Sequence, residues 1–155
     1  LKNIIKMTVL GYRHTGIICR DIKKSLYFYK NLLGLKVVQE FWDKTDYINK
    51  VSGMKNAKVH FIKLQMKSGE ILELLRYPTH NTKLPKLPIH NTGILHIALQ
   101  VKNIQKTYMK LKNKGIKFLS EPTVSSEKFA KVCFCIDPNN VRVELVEILF
   151  KQKKS

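Results

Sequence analysis

Between Asp21 and Leu33 the apolar residues Ile22, Leu26, Tyr29, Leu32 and Leu33 recur at helical spacing, and Gly34 follows as a stop. Asp21 stands where a side-chain oxygen caps a first turn. The short β-branched run from Gly16 to Cys19 reads as a strand, and so does Leu35 to Trp42 on the other side of the helix. Tyr47 to Met54 reads as a turn of helix or a loop closed by Gly53. Ala57 to Met66 and Ile71 to Tyr77 read as a hairpin around Lys67-Ser68-Gly69. The order is strand, helix, strand, strand, strand.

Residues 79–92 carry Pro85, Pro88 and several Asn with little periodicity, which marks a linker. Beyond it the order recurs. Ile94 to Val101 reads as a strand and Asn103 to Lys114 as a helix with Ile104, Tyr108 and Leu111 on one face. Gly115 ends that helix, and Ile116 to Leu119 starts the next strand. Lys131 to Ile136 and Val141 to Leu149 form a hairpin turned by Asp137-Pro138-Asn139-Asn140. Laid over each other, His14 falls on His96, Asp21 on Asn103, Ile22 on Ile104 and Gly34 on Gly115. At the far end Ile71-Leu72-Glu73-Leu74 falls on Arg142-Val143-Glu144-Leu145. The chain is a duplication.

Length and composition fit one globular domain: 155 residues, 44% apolar, with seven Phe, six Tyr and one Trp. No apolar run approaches the roughly 18 residues that a membrane helix needs. Residues 1–7 lack the apolar stretch and cleavage site of a secretory signal, so the expected location is cytoplasmic. The three cysteines cannot all pair. Cys133 and Cys135 lie two apart on one strand face, where a bridge would fight extended geometry, so reduced thiols are expected. The formal charge of +18 invites a nucleic-acid reading. The lysines, however, are scattered along the chain with no helix-turn-helix, zinc-finger or stacking motif. A solvated basic surface that attracts small anions is the expectation, with no specific nucleic acid and no membrane partner. The basic tail 151–155 is expected to be disordered.

Each half thus supplies one histidine on its first strand and one glutamate on its last. Alternation puts His14 with Gly16 and Ile18, His96 with Ala98 and Gln100, Glu73 with Ile71 and Leu75, and Glu144 with Arg142 and Val146. A lone strand histidine is usually structural, and a lone glutamate in Leu-Glu-Leu usually faces solvent. Four at matched places in a duplicated unit change those odds. Two carboxylates on apolar strands are costly to bury unpaired, and two imidazoles converging on them by pseudo-symmetry would offset that cost by holding one divalent cation. Mixed nitrogen and oxygen donors suit Zn, Ni, Co, Mn or Fe(II) better than Ca and do not choose among them. Arg142, Gln100, Phe134 and Trp42 are candidate walls of the same cavity, and His60 on the third strand is a further candidate. His80 and His90 fall in the linker, without such support.

The segments from His14 to Val38 (HTGIICRDIKKSLYFYKNLLGLKVV), Ile71 to Leu75, Gly93 to Phe118 (GILHIALQVKNIQKTYMKLKNKGIKF) and Asp137 to Glu147 (DPNNVRVELVE) resemble the vicinal oxygen chelate superfamily. That superfamily holds glyoxalase I, methylmalonyl-CoA epimerase, extradiol dioxygenases and bleomycin or fosfomycin resistance proteins. The resemblance implies an α+β fold: two tandem βαβββ modules forming a curled mixed-sheet cup with helices packed outside. It places a single domain at 8–155, with module 1 at about 10–78, module 2 at about 93–149 and the linker at 79–92. It makes His14, Glu73, His96 and Glu144 the metal ligands, and Glu144 the general base with Glu73 as its symmetric counterpart.

The Asp137 to Glu147 segment and a glutamate at 73 resemble glyoxalase I, which implies a lyase or isomerase acting on a small anionic substrate such as a glutathione adduct. Ile18 and Tyr77 stand where the bacterial enzyme has an Arg and an Asn, which makes Tyr77 a substrate-side candidate. A methylmalonyl-CoA epimerase is the first alternative, since a basic pocket suits an acyl-CoA ester. Such epimerases carry Gln at the place of Glu73 and a carboxylate base near the place of His60. A metal-free drug-binding resistance protein is the alternative of another class, and an extradiol dioxygenase ranks behind it. Relatives often form homodimers, and in some the site is shared between chains.

Overall fold

The computed structural model describes residues 8–86, 88, 90, 92–93 and 96–150. Ile94, Leu95 and the tail 151–155, for which a strand and disorder were expected, lie outside them. Two four-stranded sheets carry the duplication in their topology. The first joins β1 (Thr15–Ile18), β2 (Lys36–Asp43), β3 (Val59–Gln65) and β4 (Ile71–Arg76) in the order β1-β4-β3-β2. The second joins β5 (His96–Gln100), β6 (Thr123–Val124), β7 (Ala130–Ile136) and β8 (Arg142–Ile148) in the order β5-β8-β7-β6. In each, the first strand runs parallel to the last and the others pair antiparallel. This is the expected α+β architecture of repeated βαβββ units with open, curled sheets.

Alternation decides what each sheet buries. Leu72 and Leu74 of β4 and Val143 and Leu145 of β8 are fully enclosed, as are Ile104 and Leu111 of α3 (Ile104–Asn113). They join Ile17, Phe28, Tyr29 and Leu99 in one core that draws on both halves. The helices cover one face of each sheet. Residues between the core positions therefore point to the other, open face, where Glu73 and Glu144 lie.

The first helix departs from the pattern read in the sequence. Its α-helical part, α1, is short (Ile22–Leu26) and is capped as expected by Asp21, whose carboxylate accepts from the backbone of Lys23 and Lys24. Residues Tyr27–Leu32 then widen into a π-helix, with Leu33 N–H donating to the Phe28 carbonyl five residues back. Tyr29 sits in that widened stretch and donates its phenol to Asp137 Oδ2 at 3.0 Å. A short α2 (Asp46–Ser52), ended by left-handed Gly53, fills the place where a turn of helix or loop was expected. The strand expected at 116–119 is reduced to a single bridge from Phe118 to Cys135, and the fourth strand forms later as the two-residue β6. Pro122, which has no N–H to donate, separates the two pieces.

The two halves are bolted together by the turn between β7 and β8. Asp137 and Asn139 are each only 3% exposed. Asp137 accepts from Tyr29 and from the backbone of Asn139 and Val141, at 3.0, 2.7 and 2.8 Å. Asn139 reaches into module 1, donating to Ser25 Oγ at 2.9 Å and accepting from Arg20 N–H at 3.1 Å. Burial, reinforced by the charge of Asp137, pushes the Tyr29 phenol well above its usual range, so it stays a donor. Burial likewise pushes the thiols up, Cys19 and Cys133 to about 11 and Cys135 to about 12. All three cysteines are free, as expected, and all three are buried.

Two outcomes follow. Asp137→Ala removes the acceptor of four hydrogen bonds, from Tyr29, from the backbone and side chain of Asn139 and from Val141 N–H, and costs about 3 kcal/mol, a fall in Tm of roughly 6–12 °C by calorimetry. A thiol reagent at pH 8 labels none of the three cysteines in the native protein and all three after denaturation, since each thiol is both enclosed and protonated.

Candidate metal centre

Module 1 builds its half of the site on β1 and β4. The parallel register sets Gly16 beside Glu73 and brings His14, just before β1, to the same open face. His14 Nε2 lies 3.5 Å from Glu73 Oε2. Glu73 is 7% exposed, a carboxylate set between the enclosed Leu72 and Leu74. Directly across on β3 stands Lys63, whose Nζ is 3.8 Å from Glu73 Oε1 and 5.5 Å from the centre of the Phe41 ring. Phe41 and Phe61 stack at 4.6 Å on this face. Tyr77 packs against the small cluster of Ile48, Ala57 and Val59, and burial, followed by the charge of Glu73, pushes its phenol up.

Module 2 repeats the arrangement on β5 and β8. Ala98 lies beside Glu144, and His96 Nε2 is 3.3 Å from Glu144 Oε2. The residue directly across from Glu144 on β7 is Phe134, whose ring meets His96 edge-on at 5.6 Å. Arg142 and Gln100 share this open face by alternation, Arg142 paired with His96 and Gln100 with Val146. Arg142 and Phe134 thus stand beside the module 2 pair and Tyr77 near Glu73, while Gln100 lies two residues beyond Ala98 and faces Val146.

Each His–Glu pair has the donor types and the spacing of two ligands of one divalent ion. Two donors about 2.1 Å from one cation lie roughly 3.0–3.5 Å from each other, depending on the ligand angle. Both His–Glu separations fall at or inside that range, and both imidazoles present Nε2. Nitrogen and carboxylate donors together suit Zn, Ni, Co, Mn or Fe.

The four side chains form two pairs, not one cluster. Among the described residues no group of three or more His, Cys, Asp or Glu could hold a metal. His14 and His96 both border one crevice of about 1150 Å³ between β1 and β5, which Gly16, Ile18, Ala98 and Gln100 also line. Both imidazoles are open, with side chains 38% and 49% exposed.

His60 is a correction. It pairs across the sheet with Trp42 and Arg76, on the face opposite Glu73 and Lys63. There its Nε2 is 2.7 Å from Glu40, and its ring stacks on Trp42 at 4.3 Å. Alternation along β3 from Lys63 places it so, and Trp42 leaves the cup wall with it. Lys63 is the residue that sequence reasoning missed. Its signal was a lone lysine between Ile62 and Leu64 on an apolar strand.

Residues 13–134 match the model of the glyoxalase/bleomycin resistance protein/dioxygenase superfamily. The chain belongs to that superfamily. It is 32% identical over 140 residues to a probable lactoylglutathione lyase of Synechocystis sp., covering 90% of this chain and 96% of that one. The fold matches a glyoxalase family protein from Bacillus cereus with a TM-score of 0.85 at 19% identity, over 95% of this chain and 99% of that one. It also matches the fosfomycin resistance protein FosX from Listeria monocytogenes, solved with Mn(II) and sulfate, with a TM-score of 0.60 at 17% identity, over 90% and 93% of the two chains. Among the described residues no helix is long and apolar enough to cross a membrane.

The faces separate the histidines by experiment. His60→Ala lowers Tm by roughly 2–4 °C through the lost Glu40 and Trp42 contacts and leaves Ni(II) or Zn(II) affinity within about twofold. His14→Ala and His96→Ala each weaken that affinity by at least about tenfold in the same titration.

Proposed function

We propose that this protein is a metal-dependent lyase or isomerase of the glyoxalase type, moving a proton beside a chelated carbonyl in a small anionic substrate such as a glutathione adduct. The observation that carries the reading is the pair of His–Glu contacts, 3.5 and 3.3 Å, at matched register positions of two duplicated sheets. His14, Glu73, His96 and Glu144 hold the ion. When bound, a divalent ion withdraws electron density from the carbonyl, acidifies the neighbouring C–H and stabilises the negative charge left when the proton departs.

Glu144 takes that proton and returns it to the adjacent carbon. Its side chain is 21% exposed against 9% for Glu73, and a phenyl ring stands opposite it where Glu73 faces an ammonium. Glu73, held by His14 and Lys63, stays in place as a ligand. Phe134 and Tyr77 shield the reacting carbon from water, and Arg142 draws the anionic substrate to the module 2 face. The similarity to a probable lactoylglutathione lyase over most of both chains supports the reaction class.

The complete centre forms between two copies of the chain, module 1 of one facing module 2 of the other. Two-fold symmetry then yields two identical sites. The support is that each open sheet face carries half a donor set, uncovered by the chain's own helices.

Activity is tested on the methylglyoxal–glutathione adduct and on methylmalonyl-CoA, with Ni, Co, Zn and Mn supplied in turn. Isomerisation of the first is expected, with kcat lowered about 10²–10⁴-fold in Glu144→Gln; turnover of neither overturns the proposed reaction. The shared site has its own test. His14→Ala and His96→Ala are each inactive, and mixing them restores activity, because one of the two sites in the mixed dimer then has all four native ligands. No recovery on mixing overturns the shared site.

A further inference from the structure

The two half-sites are matched in their ligands and differ in what stands across from each glutamate. Opposite Glu73 on β3 is Lys63; opposite Glu144 on β7 is Phe134. The ammonium of Lys63 approaches Glu73 Oε1 to 3.8 Å while His14 lies 3.5 Å from Oε2. Its side chain is 25% exposed and passes over the Phe41 ring, which stacks on Phe61. Lys63 is therefore not a solvated surface lysine with an incidental partner. It is a cation set among aromatic rings beside a ligand carboxylate.

Resting on the reading of the two pairs as one metal centre, we infer that Lys63 sets the charge of that centre, loosening its grip on the ion and making the occupied site selective for anionic ligands. The charge count gives the reason. A divalent ion and two carboxylates cancel, so a site made of the four ligands alone is neutral and offers an anion no net attraction. Lys63 adds one positive charge at the edge of the ligand shell. Its field repels the metal and competes for Glu73 Oε1, which lowers metal affinity. The same field favours a second-sphere or chelating anion once the ion is in place. Phe134, at the equivalent place in module 2, desolvates its glutamate and adds no charge. The positions directly across from the two glutamates thus differ by one charge. Oxalate serves as the probe anion.

The test uses the full chain stripped of metal, with Lys63→Gln and Lys63→Met removing the charge and Lys63→Arg keeping it. Calorimetric titration with Ni(II) or Zn(II), then with oxalate on the loaded protein, reads both effects. Removing the charge is expected to tighten metal binding about tenfold and weaken oxalate binding about tenfold, and Lys63→Arg is expected to stay within about twofold of wild type on both. Arg142 is unchanged throughout and cancels from every comparison. Unaltered or weaker metal binding in both neutral variants overturns the inference, and so does Lys63→Arg behaving like Lys63→Gln with an unchanged Tm. Either result leaves the metal centre standing. A wild-type chain that binds neither metal sinks the centre itself and the role of Lys63 with it. Two neutral variants are used so that misfolding of one, read from its Tm, leaves the other to decide.

Discussion

A carboxylate in the middle of an apolar strand must be compensated, and this fold does so twice in the same way. Glu73 and Glu144 each interrupt a strand whose neighbouring residues are fully buried. In each case the parallel first strand brings a histidine to the same face, within 3.5 Å of the glutamate. The parallel pairing of first strand with last, an arrangement that needs a crossover helix, is therefore what makes the site possible. The helices that supply the crossovers also cover the other face of each sheet and so leave the His–Glu face open.

Holding the two sheets in fixed relation falls to a buried polar seam. Asp137 and Asn139, at the tip of the module 2 hairpin, satisfy donors from three parts of the chain, including the Tyr29 phenol and the Arg20 amide of module 1. The π-helical widening at Tyr27–Leu32 belongs to this seam, because Tyr29 lies within it and bonds Asp137. Such a network specifies one arrangement of the halves, since any other would strand buried donors. Module 1 has Lys67-Ser68-Gly69 at the equivalent turn and nothing comparable to offer. The repeat is thus symmetric in its His–Glu pairs and asymmetric where its halves are joined.

A second asymmetry concerns the chemistry. Both glutamates have the same imidazole partner, yet one shares its carboxylate with an ammonium and the other faces a phenyl ring. Two carboxylates with the same imidazole partner thus sit in different electrostatic surroundings. Membership of the superfamily establishes the scaffold, on which metal-dependent enzymes and resistance proteins are both found. Which of these chemistries a member performs is decided by the residues around the pairs.

The duplication, the helix at Asp21, the two hairpins and the matched places of two histidines and two glutamates were legible in the sequence, because each depends on local periodicity or on matching one half against the other. Alternation alone put His14 with Gly16 and Glu144 with Arg142 on shared faces, and the strands keep those assignments. What the sequence did not carry was register between strands. The face of His60, the approach of Lys63 to Glu73 and the late start of β6 each depend on which residue sits opposite which, a relation between segments distant along the chain. The same holds for the division of the two histidines and two glutamates into two pairs. Periodicity tells which face of a sheet a side chain occupies, and only the packing of one sheet against the rest decides how far apart two faces stand.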